Sequence, residues 1–251
     1  MTDTQWADVS EFNPLVNDHY RLRALAIRSN DGTYKDKHFA SNIAWAVHAC
    51  DTGKLDFFIV YLVFEPNWQQ TFETFKTVVG KPHGKMAVMI DMESWSGRLS
   101  GDQSAAANSL RAAIAGWLGG YMSVWARLAK KHWKRVGGYG NAGDLSNLWR
   151  GRPSDMWIVL ANYSFNQVFP NKLAHQYSDR APCIPFGTCD MNSADGMTSG
   201  QVVKALGLDP TPTPAPPLDG HWTDDTKTFS ITADATGRFN LWHLGKWVRS
   251  W

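Results

Sequence analysis

Residues 86–90 (Met86, Ala87, Val88, Met89, Ile90) are five apolar residues running directly into Asp91-Met92-Glu93. On an extended strand, residues i and i+2 point to the same face with Cα atoms roughly 6.5–7 Å apart. The two carboxylates therefore enter one space, and Met92 faces away. Like charges held that close disfavour joint ionisation, so one pKa rises. A carboxyl still protonated near neutrality can donate to a leaving oxygen, while ionised neighbours stabilise a cationic transition state. The chemistry these residues support is acid–base hydrolysis, with a glycosidic bond among the candidates. Asp8, in Trp6-Ala7-Asp8-Val9-Ser10, and Asp190, in Thr188-Cys189-Asp190-Met191-Asn192, are two further acids at the ends of apolar runs. Asp8 by itself reads as a loop or helix cap; its significance depends on where the other acids lie.

The elements that must position these acids follow from the apolar spacing. Strands are expected at Trp6–Val9, Ala24–Arg28, Phe57–Val63, Met86–Asp91 and Arg135–Tyr139, and helices at Pro14–Leu22, Phe39–Cys50, Trp68–Val79 and Gln103–Lys131. In the last helix Leu110, Ile114, Trp117, Leu118, Tyr121, Val124, Trp125 and Leu128 keep a 3,4 spacing. Beyond Tyr139 the pattern changes to strands at Met156–Ala161, Lys172–Tyr177 and Phe186–Met191 with no long helix between them. The expected fold is α/β: an irregular TIM-like barrel of five βα units followed by three further strands, with a small C-terminal appendage. Active sites of such barrels sit at the C-terminal ends of the strands, which is where Asp8, Asp91, Glu93 and Asp190 fall.

The 251 residues suffice for one large domain and an appendage, and 43% hydrophobic content allows a full core. A net charge of +2 is too small to argue for a nucleic-acid partner. The polar start Met1-Thr2-Asp3-Thr4-Gln5 lacks the pattern of a signal peptide. No apolar stretch approaches the ~20 residues that span a bilayer, so membrane insertion is not expected. Eight histidines show no His-Glu-x-x-His spacing, and neither metal nor cofactor is expected. Cys50 reads as a buried small hydrophobe, whereas Cys183 and Cys189 flank a loop short enough to close as a disulfide. The glycines of residues 137–143 lack the Lys-Ser/Thr of a phosphate loop and are expected to allow close approach of a sugar. Residues 209–217 hold five prolines and read as an extended linker. It separates a catalytic domain, 1–208, from a Trp-rich segment, 218–251, in which Phe229–Ala233 alternates like a strand and Leu241–Val248 suggests a short helix. That segment is open to three readings: an anchoring module, docking on the body of the chain, or docking on a partner protein.

With these residues in place the chain resembles glycoside hydrolase family 25, the Chalaropsis-type lysozymes common among phage endolysins. Matches run in order over residues 6–196. Asp8-Val9-Ser10 resembles the family's opening Asp-(Val/Ile)-Ser. The segment from Ala26 through Arg28, Asp31 and Gly32 to Tyr34 and Asp36 is similar to Ile-Lys-Ala-Thr-Glu-Gly followed by Tyr-x-Asp, with Arg28 replacing Lys and Asp31 replacing Glu. Tyr61-Leu62-Val63-Phe64 sits where the family has Tyr-His-Phe, with one extra residue. Asp91-Met92-Glu93 is similar to its Asp-x-Glu. Trp157-Ile158 through Ala161-Asn162-Tyr163 resembles a lengthened Trp-Ile-Ala-x-Tyr. Gln176-Tyr177-Ser178, with His175 in place of Trp, and Asp190-Met191-Asn192 complete the set.

The resemblance implies cleavage of peptidoglycan between N-acetylmuramic acid and N-acetylglucosamine. Glu93 would be the general acid, Asp91 would tune it or orient the substrate acetamido group, and Asp8 and Asp190 would complete an acidic floor. Tyr61, Tyr163, Gln176 and Arg28 would line the sugar site. It implies an endolysin, monomeric and held in the host cytoplasm until released to the wall, with wall binding as the anchoring role of segment 218–251. The alternative is a virion tail protein carrying a wall-degrading or wall-binding domain.

Overall fold

The apolar runs do form strands, and the strands close on one another. The structure, a computed structural model, describes residues 3–208 throughout and, beyond them, the backbone of 222–223, 229–233, 239–243 and 246–250. The chain divides into two compact units, Met1–Pro210 and Thr211–Trp251.

In chain order the first unit contains β1 (Thr4–Val9), β2 (Ala24–Asp31), β3 (Tyr34–Lys35), α1 (Phe39–Asp51), β4 (Phe57–Val63), α2 (Trp68–Val79), β5 (Met86–Asp91), α3 (Ser104–Gly120), α4 (Val124–Leu128), α5 (Lys131–Lys134), β6 (Val136–Asn141), α6 (Ala142–Asn147), β7 (Ile158–Ala161), β8 (Lys172–Cys183), β9 (Gly187–Ala194) and α7 (Ser199–Ala205). Eight strands form a closed barrel in the order β1-β2-β4-β5-β6-β7-β8-β9, with β9 returning to β1. All neighbours are parallel except β8–β9 and β9–β1. Parallel strands covered on both faces read as continuous apolar runs, as in Phe57–Val63 and residues 86–90.

Two apolar layers follow. Inside the barrel Trp6, Ala26, Ile59, Met89, Trp157 and Val159 pack together, and Val202 and Val203 of α7 join them with Leu206 just after it. The Ser199 hydroxyl donates to Asp56 at 2.5 Å, just before β4, so α7 closes the end where the strands begin. Outside, Val60, Val88, Ile90 and Met92 pack against Phe75, Leu110 and Ile114 of the helices.

Three helix expectations need correction. Pro14–Leu22 is a loop. There Asn13 and Asn42 side chains accept the Ser10 and Val16 amides, a local alternative to helical bonding. Tyr20 enters the core, where its hydroxyl accepts from Ala7 N–H and donates to Ala24 O, joining β1 to β2. The helix expected over Gln103–Lys131 ends at Gly119-Gly120; Ser123 caps a new turn by accepting Ala126 N–H, and Lys130 in the left-handed region (φ 54°) separates α4 from α5. In the second unit the described residues of Leu241–Val248, 241–243 and 246–248, are not helical. They fall on β12 (Phe239–His243) and β13 (Lys246–Ser250) of an antiparallel sheet that begins β10 (Trp222–Thr223), β11 (Phe229–Ala233). A helix of eight residues is marginal on its own, whereas ladder pairing satisfies the same backbone. The strand expected over Phe229–Ala233 is present. The proline-rich 209–217 lies outside the described residues.

Candidate active site

The C-terminal ends of β1, β4, β5 and β6, with β9 entering antiparallel, surround a cleft of about 250 Å³. Asp8, Arg28, Tyr61, Asp91, Glu93, Gln176 and Asp190 all line it, together with Ser10, Phe12, Met89, Trp95 and Tyr139. Seven of the eight residues singled out from the sequence thus share one space. The eighth, Tyr163, lines an adjoining hollow with Glu93, Asn141 and Asn162. Strand alternation does the sorting: Met89, Asp91 and Glu93 face the cleft, and Met92 is buried among the outer helices.

Burial and mutual repulsion set the protonation of the acids. Glu93 is pushed up to about 7, first by burial and then by the charges of Asp144 and Asp190. Asp190 is pushed up to about 6, by burial and by Asp179. Asp8 and Asp91, more deeply buried, are held well above the usual carboxylate range. For Asp8, burial acts first and Asp190 next, opposed by a hydrogen bond from the Tyr61 hydroxyl. For Asp91, burial is followed by the charges of Glu93, Asp8 and Asp31. Four carboxyls so arranged cannot all ionise, and near neutrality the cluster retains protons. One oxygen, Asp91 Oδ1, is buried without a hydrogen-bond partner, which adds to the cost of ionising this carboxyl.

The surrounding groups hold this cluster in place. Arg28 Nε donates to Asp36 at 2.9 Å, its second nitrogen reaches Glu11 at 3.3 Å, and the exposed Phe12 ring covers the guanidinium at 5.0 Å. Two carboxylates thus hold Arg28 at the cleft wall. Asp31 is paired with Arg98 at 2.9 Å, and Glu65 binds the same guanidinium. Gln176 Oε1 accepts from both Tyr139 (2.7 Å) and Tyr163 (3.0 Å), which ties the cleft to the adjoining hollow. Among the described residues no group of His, Cys, Asp and Glu side chains is arranged to hold a metal ion.

Several site residues escaped the sequence reading. Asp144 accepts the Ser94 amide at 3.2 Å and the Asn141 side-chain amide at 2.7 Å, anchoring the chain just after Glu93. Its position three residues after the capping Asn141 was the available signal. Trp95 and Phe12, at the cleft rim, follow no periodic pattern. The glycines of β6 have a different role from the one expected. A Cβ on Gly137 would lie 2.1 Å from the Trp157 ring, and one on Gly140 would lie 2.6 Å from Met92 O. They make room for the protein's own packing and bring β6 against the end of β5. Cys183 and Cys189 are free thiols that contact each other near the tip of the β8–β9 hairpin.

The chain matches no protein-family model. It is 39% identical over 243 residues to the uncharacterized protein Rv3766 of Mycobacterium tuberculosis, an alignment covering 92% of this chain and 82% of that one. In three dimensions it is similar to a bacterial lysozyme from Streptomyces coelicolor, with a TM-score of 0.62 and 18% identity over 83% of this chain and all (100%) of that one. It is also similar to a family 25 glycosyl hydrolase from Bacillus anthracis, with a TM-score of 0.55 and 16% identity over 78% and 91%. At these identities the likeness establishes a shared barrel fold.

Proposed function

The chain belongs to the family of the mycobacterial protein Rv3766, and from its barrel and acidic cleft we propose that it is a glycoside hydrolase that cleaves peptidoglycan. The observation that carries the reading is the four-carboxylate cluster at the strand ends, with Glu93 pushed up to about 7. The fold it shares with a lysozyme and a family 25 glycosyl hydrolase supports the substrate class.

In this reading Glu93 protonates the glycosidic oxygen between N-acetylmuramic acid and N-acetylglucosamine as the bond breaks. The charge that develops at the sugar is stabilised by Asp190, the acid in the cluster whose pKa lies nearer to that of an ordinary carboxylate. Asp91, which lines the cleft beside Glu93, tunes that acid or orients a polar substituent of the sugar such as the acetamido group. Asp8, bound by Tyr61, supplies the rest of the acidic floor. Trp95 and Phe12 offer flat faces at the rim for sugar stacking. The enzyme acts as a monomer on a wall polymer.

The endolysin reading places the protein in a host cytoplasm until release to the wall. Kinship with a protein of Mycobacterium tuberculosis favours a second setting for the same chemistry, a cell's own wall-remodelling hydrolase. Digestion of purified peptidoglycan tests the proposal. New reducing ends carrying N-acetylmuramic acid are expected. Free amino termini without reducing ends would indicate an amidase or peptidase and overturn it.

A further inference from the structure

Between Asp102 and Asp144 the chain contains no acidic residue, and in the middle of this stretch it exposes an apolar face. Val124 (57% exposed), Trp125 (81%) and Leu128 (68%) share one side of α4, and Tyr121 (54%) adjoins them while packing edge-on against Trp117. Apolar residues at this spacing normally turn toward a core. Here the helix breaks at Gly119-Gly120, restarts on the Ser123 cap and carries them into solvent. Arg127 and Lys130 flank the face, both exposed and neither in an ion pair among the described residues. The face also has a defined place on the barrel. The α3–α5 connection runs from the end of β5 to the start of β6, and Lys134 of α5 packs beside Gly207, after α7. The patch thus lies at the end of the barrel where strands begin, opposite the carboxylate cleft.

We propose that this face is a docking surface for an anionic lipid bilayer, which would hold the barrel with its cleft turned away from the membrane. A tryptophan among aliphatic residues, ringed by Lys and Arg, suits the membrane–water interface, where the ring sits at headgroup depth and the long cations reach the lipid phosphates. A stable protein partner fits less well. The four apolar side chains present less than the ~800 Å² per partner of a standard protein interface, and the cationic fringe lacks the mixed charge that would fix a register. No helix among the described residues is long and apolar enough to cross a membrane, so the attachment is peripheral. The inference does not depend on what the cleft cleaves.

Co-sedimentation of the full chain with vesicles tests it. Binding to phosphatidylcholine vesicles containing phosphatidylglycerol is expected, with weaker binding to phosphatidylcholine alone and loss on adding salt. Each cation near an anionic surface is worth about a fivefold gain in partition. Arg127→Glu with Lys130→Glu should therefore weaken binding at least about tenfold, and Trp125→Ser with Leu128→Ser should do the same. All four positions are exposed, so thermal unfolding of the variants should match the parent. Unchanged binding by both variants, or binding indifferent to phosphatidylglycerol, would overturn the proposal. So would a dimer that Trp125→Ser with Leu128→Ser converts to monomer, because the face would then serve self-association.

Discussion

Asp8 on β1 and Asp190 on β9 stand directly opposite each other in the antiparallel ladder that closes the barrel. Directly opposed residues hold their Cβ atoms about 4.5–5.5 Å apart on the same face. Two carboxyls from the first and last strands of the barrel therefore enter the cleft side by side, and the charge of Asp190 is the main electrostatic cause, after burial, of the raised Asp8 pKa. The β5 acids Asp91 and Glu93 line the same cleft.

Glu93 should be indispensable. Glu93→Gln removes the proton donor while preserving shape, and the rate of reducing-end release should fall by about 10²–10⁴, the range ascribed to general acid catalysis. The unfolding temperature should stay level or rise slightly, because the substitution removes a charge from a crowded acidic site. Full activity in this variant would eliminate Glu93 as the acid.

Activity should fall on the alkaline side. With Glu93 at about 7, the protonated form is lost as pH rises, and kcat/KM should drop about tenfold per pH unit above that value. Stability follows the same sign. Glu93 rises from an ordinary 4.5 and Asp190 from 3.8 to about 6, so the folded state favours their protonated forms. That contribution is fully present below the ordinary values and is lost as pH climbs through the folded ones. Chemical denaturation midpoints should decline between about pH 4 and about pH 7. A decline at Glu93→Gln as large as in the parent would assign the effect to other groups.

Asp144 should act as a positioning residue through Glu93. Asp144→Asn removes a charge that raises the Glu93 pKa while retaining an acceptor for the Ser94 amide. The alkaline limb of the pH–rate profile should shift to lower pH. A variant that loses rate at every pH without moving the limb would show Asp144 to be purely structural.

Gly137→Ala should destabilise severely. The added methyl would overlap the buried Trp157 ring, whose Nε1–H is also engaged by Lys134 O at 2.8 Å. Overpacking of this kind typically costs 1–3 kcal/mol, occasionally more, and about 3 kcal/mol is expected here from urea denaturation. A loss under about 1 kcal/mol would mean that the ring moves aside freely.

Arg28→Met should reveal the worth of the buried ion pair. Asp36 has a side chain only 1% exposed, and the substitution removes its ion-pair partner. Breaking a buried pair by removing one partner costs about 3–5 kcal/mol. Restoration of stability by Asp36→Asn in the same chain would attribute the loss to the stranded charge.

Much of this site could be read before the structure. Apolar runs ending in Asp91-Met92-Glu93, Asp8 and Asp190 located the strand ends, because strand periodicity and burial are local properties written in residue order. The same logic failed where local spacing had no tertiary counterpart. Val124, Trp125 and Leu128 keep a helical rhythm yet face solvent, since Gly119-Gly120 and the Ser123 cap end α3 before them. Tyr20 lies in a segment read as helix and instead bridges β1 to β2 with its hydroxyl. The glycines of β6 looked like space for a ligand and proved to be space for Trp157 and the Met92 carbonyl.

What the sequence alone determined is the set of acids and the strand ends that carry them, because alternation and apolar runs require only near neighbours. Barrel closure decided the rest: that Asp8 meets Asp190, that Asp144 reaches the chain beyond Glu93, and that Tyr139 and Tyr163 share Gln176. A pKa of about 7 on Glu93 depends on burial and on charges from distant parts of the chain. Those charges become neighbours only when the eight strands close.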